Sequence, residues 1–371
     1  MNTVLYIILT LLVFTLIVSI HEWGHFIMAR KNGIFVEEFA IGMGPAIFKH
    51  TTKKKMVFSI RLFPLGGFCR MKGEEAEQTE DGQLIYNKKD PDSFNAKSVG
   101  RRASVIAAGP IMNFILAFVL LLVVNACFRY TDPKVVSVEA DYPAAKAGLE
   151  EGDRLYKLNG ERIHVYDKVQ FLLMNYQEGQ TVDLAVKKPD GSIRDMKFQL
   201  KYDQKEERYR MGFTVASSGR LTDMMKDRGV WKGLGCWISS SFWALLFDIE
   251  ITFRSIGMLL TGKVGMDALT GPIGMVSVVG QTYQAASAYG IGAVLGSFAN
   301  LIILISANLG VLNLFPIPGL DGSQLVFLII EKIRRKPMNV KIQNIIFLIG
   351  FILLFGLMIA VGINDVMNLV R

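Results

Sequence analysis

His21-Glu22-Trp23-Gly24-His25 lies inside an apolar run that starts at Val4 and reaches about Ala29. The two histidines are four residues apart, so on a helix they share one face, one turn apart. Two imidazoles so placed can hold one zinc ion at about 2.0–2.1 Å. Glu22, beside the first of them, is placed to act as a general base without being a ligand. Gly24 leaves room for a substrate or a second helix. The competing reading is a chance match, with both histidines satisfied in a core. Location weighs against it, because an ionisable side chain at the centre of a membrane helix costs about 2.5–3.5 kcal/mol or more. Three of them within five residues need a reason, and a metal supplies one.

Composition sets the frame around this stretch. The chain has 371 residues, is 51% hydrophobic and has a mean hydropathy of +0.34. That balance points to a polytopic membrane protein with a soluble part. The net charge of +8 suits basic loops facing an anionic leaflet. A nucleic-acid partner is not expected, since no basic stripe is interleaved with exposed aromatics. Cys69, Cys127 and Cys236 are too far apart for a zinc spacing and odd in number, so they read as packing residues. His50 falls in a polar loop and His164 in a soluble segment, so neither is expected to bind metal.

Four spans are expected, near residues 4–29, 104–128, 292–315 and 345–361. The first does not read as a signal peptide: no Lys or Arg precedes it and no small-residue cleavage site follows. Between the first two spans, Phe39 to Phe48 is apolar but broken by Gly and Pro, which suggests a re-entrant hairpin covered by protein. Met56 to Met71 contains short β-like pieces, one of which can pair with an extended peptide or form a plain surface hairpin. Residues 73–95 are acidic and read as a loop. Residues 229–262 read as an aromatic-rich interfacial helix, ending before the break at Gly271-Pro272-Ile273-Gly274. The expected division is 1–128, 129–216, 217–290 and 291–371.

The third span carries Asn300, Ser306, Asn308 and Asn313, so it faces protein rather than lipid. It ends in Asn313-Leu314-Phe315-Pro316-Ile317-Pro318-Gly319-Leu320-Asp321-Gly322, where two prolines stop the helix. Basic residues at 30–31, 101–102 and 332–336 place residues 30–103 and 332–341 in the cytoplasm and residues 129–216 outside it. His21 lies seventeen residues after Val4, roughly 26 Å into a core about 30 Å thick. Asp321 follows the inner end of the third span, so both groups fall near the inner leaflet. A catalytic zinc needs a third protein ligand, and Asp321 is the best-placed carboxylate. Its alternative role is the N-cap of a helix starting near Ser323.

Two segments carry resemblances. Tyr142 to Gly160, with Pro143-Ala144, Ala147-Gly148-Leu149, Gly152-Asp153 and Asn159-Gly160, resembles the core motif of PDZ domains, which bind extended peptides by strand addition. The ordered set of H-E-x-x-H in the first span, Gly109-Pro110 with Asn113 in the second, the PDZ segment, Gly271-Pro272-Ile273 and the Asn313 to Gly322 segment resembles the site-2 protease family. These are intramembrane zinc metalloproteases, and the likeness is to the bacterial branch that regulates sigma factors. The resemblance implies a mainly α polytopic membrane protein: four transmembrane helices, a membrane-associated β-hairpin or sheet, and an inserted α+β PDZ domain. It implies Zn2+ on His21, His25 and Asp321, Glu22 as base, and Asn313 against the substrate backbone. It implies single-span membrane proteins as substrates, a peptide ligand for the PDZ groove, and residence in the bacterial inner membrane. The Leu62–Met71 strand corresponds to an element that holds an unwound substrate helix. Relatives often carry two tandem PDZ modules; only one is legible here. A catalytically silent PDZ scaffold and a transporter are the rival classes.

Overall fold

The computed structural model describes residues 2–370 apart from 75–76, 79–83, 86–88, 129, 175, 205, 219 and 266–268. Its helices in chain order are α1 (Asn2–Lys31), α2 (Val99–Cys127), α3 (Pro143–Lys146), α4 (Tyr166–Leu173), α5 (Leu221–Arg228), α6 (Val230–Leu260), α7 (Pro272–Ser287), α8 (Ile291–Leu314), α9 (Asp321–Arg334) and α10 (Val340–Val370). Four of them, α1, α2, α8 and α10, are long and apolar enough to cross a membrane. The chain divides into two compact units, residues 1–120 with 248–371, and residues 121–247.

In the first unit, two threonines of α1 donate back to the preceding turn. Thr10 donates to the Tyr6 carbonyl at 2.7 Å, and Thr15 to that of Leu11 at 2.7 Å. Gly24 is what lets α2 approach α1: a Cβ there would lie 2.3 Å from the Ala108 carbonyl oxygen. The second helix is therefore what fills the room that Gly24 leaves. On α8, Ser306, Ala307, Gly310, Val311 and Asn313 are buried and Asn308 is partly buried, so the polar side faces protein over the later turns, whereas Asn300, expected with them, is exposed. The helix stops at Leu314, and Phe315 is extended ahead of Pro316. The chain then turns back sharply. A Cβ at Gly322 would come within 2.1 Å of the Phe315 carbonyl oxygen, so only glycine lets α9 start so close to the end of α8. At the far end, Asp365 of α10 accepts hydrogen bonds from the Gly271 and Gly274 amides at 3.1 and 2.8 Å, satisfying the open N-terminus of α7.

The hairpin region is more elaborate than a two-stranded turn. β1 (Val36–Thr51) and β2 (Val57–Met71) are both bent, at Gly42-Met43-Gly44-Pro45 and at Pro64 to Gly66. The first half of β1 lies between two stretches of β2: Ala40 pairs with Phe68 and also with Ser59. The second half of β1 pairs with 57–61 through Phe48–Ile60 and Thr51–Val57. Residues 39–48 thus form part of a bent, paired strand, because glycine and proline bend it without ending its pairing. His50, expected in a loop, pairs with Phe58 in the same sheet. Ile34, Val36, Phe39, Met56, Cys69 and Met71 bury one face of it against Ala29, Val105, Ile106 and Leu328. Much of the acidic stretch expected at 73–95 lies outside the described residues.

The second unit holds a six-stranded sheet in the order Phe213–Ser218, Tyr130–Val138, Arg154–Leu158, Thr181–Lys187, Ile193–Gln199, with Glu161–Arg162 paired to Arg154–Leu158. Its core is Val135, Leu155, Leu158, Val169, Val182, Leu184 and Val186. Asn159 and Gly160 have φ of 51° and 83°, the two positive values that a tight Asn-Gly hairpin turn requires. Asp153, fully buried, accepts from the Glu150 amide at 3.0 Å and the Lys188 ammonium at 3.1 Å, locking the Gly-Asp turn. These are the elements that the PDZ-like motif implies. Cys127 is exposed, so the packing reading holds for Cys69 but not there.

Candidate metal centre and active site

His21 and His25 project from the same face of α1 and are 7% and 6% exposed. Their Nε2 atoms lie 3.2 Å apart. Asp321, the first residue of α9, brings Oδ2 to 3.1 Å from His21 Nε2 and 3.5 Å from His25 Nε2. That oxygen is buried and, the two imidazole nitrogens apart, faces no hydrogen-bond donor. The N-cap of α9 is Leu320, so Asp321 does not cap the helix with its side chain.

Do these donors fit zinc? A tetrahedral ion with bonds of about 2.0–2.1 Å sets its ligand atoms roughly 3.3 Å apart. The three observed separations bracket that value. Gly109 supplies an independent test. A Cβ there would lie 2.3 Å from His25 Nε2 and 2.7 Å from His21 Nε2, so a side chain would fill the space into which both imidazoles point. The donor set, the orphaned carboxylate oxygen and this cradle all fit a zinc ion held by His21, His25 and Asp321.

The surrounding contacts orient the ligands. His25 Nδ1 donates to the Val105 carbonyl at 2.9 Å, which leaves Nε2 free for a metal. His21 Nδ1 faces two amides, Asn113 Nδ2 at 3.2 Å and Asn313 Nδ2 at 3.4 Å. Asn113 is fully buried and its Oδ1 has no hydrogen-bond partner. A metal on His21 Nε2 needs a hydrogen on Nδ1 and an acceptor for it. A half-turn of the Asn113 amide presents Oδ1 in that role. Glu22, on the same turn as His21, receives a backbone hydrogen bond from Cys69 of β2. Gly67 lies close enough that a Cβ would sit 3.5 Å from Glu22 Cγ.

All of these groups open on one cavity of about 830 Å³. Residues 68–71 of β2 line one wall. Among the described residues, 67–71 pair with β1 on one side and with no strand on the other. Arg102 of α2 lines the same cavity and, 6% exposed, grips Glu331 of α9 in a two-pronged ion pair at 2.6 and 3.1 Å. The structure thus gathers His21, Glu22, His25, Asn313 and Asp321, the five residues singled out from the sequence. It adds Gly109, Asn113, the Cys69 backbone and the Arg102–Glu331 pair. Asn113 stood in the sequence only as a member of the second span's motif; its place against His21 depends on a contact 92 residues long, for which the sequence carries no spacing signal.

A donor set that fits zinc, with a carboxylate beside it, two of its members on a helix of membrane-spanning length and the third on the short helix after another, points to one class, the polytopic zinc metalloproteases. The chain belongs to that class as a member of peptidase family M50, which matches residues 9–357. A relative in Clostridium acetobutylicum is 35% identical over 97% of both chains. Zinc metalloprotease RasP of Bacillus licheniformis is 30% identical over the whole of both. Regulator of sigma-W protease RasP of Bacillus subtilis is 28% identical over 98% of both.

Proposed function

We propose that this chain is an intramembrane endopeptidase that cuts the transmembrane segment of single-span membrane proteins, such as anti-sigma factors or remnant signal peptides. The observation that supports it most is the joint opening of Glu22, the three donors and a free strand edge on one cavity. Its volume falls within the range of about 300–1,000 Å³ typical of ligand sites. The active site sits near the cytoplasmic leaflet and the PDZ unit lies outside the cytoplasm, where it takes a peptide ligand. The basic ends of α1, Arg30 and Lys31, and of α9, Lys332 and Arg334, support that orientation.

Bound zinc supplies Lewis acidity: it makes water nucleophilic near neutral pH and polarises the peptide carbonyl. Glu22 takes the proton from the attacking water and returns it to the leaving amine. The Cys69 amide holds its carboxyl at the cavity wall. A helical substrate hides its amides in its own hydrogen bonds, so it must unwind to be cut. The open edge at 67–71 replaces those bonds by strand addition, and Asn313 supports the scissile segment from the other side.

The decisive variant is Glu22→Gln, assayed in proteoliposomes with a single-span substrate. It retains one zinc per chain by elemental analysis and loses roughly 10²–10⁴-fold in cleavage rate, the usual worth of a general base. Cleavage at the wild-type rate by this variant overturns the assignment.

A further inference from the structure

At the inner end of α1 lies a second, smaller cavity of about 280 Å³. Its walls carry three cations, Arg30, Lys53 and Lys54, and no carboxylate. Its apolar floor includes Ile34, Val36 and Met56, which are 3%, 2% and 7% exposed. The cations are exposed, and among the described residues none of them has an ion-pair partner. Arg30 is positioned over the Phe26 ring, 5.6 Å from its centroid. Lys53 and Lys54 ride on a turn closed by three contacts between Thr52 and Met56: the Thr52 amide and hydroxyl to the Met56 carbonyl at 2.8 and 3.1 Å, and the Met56 amide to the Thr52 hydroxyl at 3.2 Å. The site is therefore formed by the folded backbone and not by loose lysines.

Three unpaired cations above an apolar floor call for an anionic group with an apolar body. The position says which. Trp23, Ile27 and Arg30 are spaced by four and three residues, so they share one face of α1. Trp23 and Ile27 are exposed on that face, within a helix long enough to cross a membrane. Elsewhere on the same sheet, outside the pocket lining, Ile47, Phe48, Ile60, Leu62 and Phe63 also stand exposed. An apolar track thus runs down the helix and ends at the cations. We propose that this pocket binds an anionic phospholipid, the phosphate among Arg30, Lys53 and Lys54 and an acyl chain along Ile27 and Trp23. The site lies apart from the metal centre and anchors the sheet that carries the substrate-facing edge.

The test is native mass spectrometry of the full-length protein in detergent, titrated with phosphatidylglycerol, phosphatidylcholine or inorganic phosphate. Phosphatidylglycerol is retained and phosphatidylcholine is not. Replacing Arg30, Lys53 and Lys54 by Gln weakens retention by roughly fivefold per cation, the effect of a basic residue at an anionic surface. Lys53→Gln with Lys54→Gln, both on the exposed turn, gives a proportionate part of that loss with zinc content unchanged. Removing the same charge from Lys332, Arg334 and Arg335 leaves retention intact. Equal binding of phosphatidylcholine, displacement by equimolar inorganic phosphate, wild-type retention by the triple variant, or an equal loss in the control variant overturns the proposal.

Discussion

Asn113 and Gly109 show how much of the site depends on single atoms. If Asn113 Oδ1 fixes the His21 tautomer, Asn113→Leu should weaken zinc by about 10–100-fold, the usual worth of such a supporting hydrogen bond. Asn113→Asp keeps an acceptor there and should retain most of the affinity. Competition with a chromogenic chelator separates the two, and equal affinities would discard the tautomer role. Gly109→Ala places a methyl where both Nε2 atoms point. Purified protein should then carry far less than one zinc per chain while its helical circular dichroism stays unchanged. His21, Glu22, His25 and Asp321 were all legible in the sequence, because a helical repeat and a shared depth bring them together. Gly109 and Asn113 were visible only as letters of a motif. Their chemistry lies in contacts with α1 made across more than 80 residues, which no local period encodes.

Among elements, α9 matters most, because its first residue is the candidate third donor and its later turns would hold it still. Glu331, ten residues on from Asp321, is tied to Arg102 on α2. Removing one partner of a buried pair leaves the other charge stranded, a loss of about 3–5 kcal/mol. Arg102→Ala or Glu331→Ala should therefore lower the denaturation midpoint and loosen zinc, and the double substitution should cost less than the sum of the two. Additive effects in that cycle would show the pair to be uncoupled. The sheet teaches the opposite lesson about legibility. Strand character at Val57 to Leu62 and Phe68 to Met71 was readable, but its pairing was not. Side-chain alternation fixes a register only while the strand runs straight, and Gly42, Gly44, Pro45 and Pro64 bend these strands. The spans were the easiest elements to read, since length and apolarity alone define them.

For the whole molecule, orientation in the bilayer is the property that decides which proteins can be substrates. A cysteine at Asp190, in the Lys188–Ser192 turn of the second unit, should react with a membrane-impermeant maleimide added to intact cells. A cysteine at Lys55 in the sheet turn should react only after permeabilisation. The reverse pattern would invert the topology and move the metal centre to the outer leaflet. The fold class follows from hydropathy and from one compact motif, whereas the depth of each group follows only once all spans are placed. The metal centre joins residue 21 to residue 321, three hundred positions apart. At about 5–20 residues per second, translation takes roughly fifteen to sixty seconds to cover that interval. Throughout that time the emerging polypeptide carries His21 and His25 but not Asp321. If Asp321 completes the metal shell, a chain that stops short of it should bind zinc weakly and cut nothing, whatever the state of its first span.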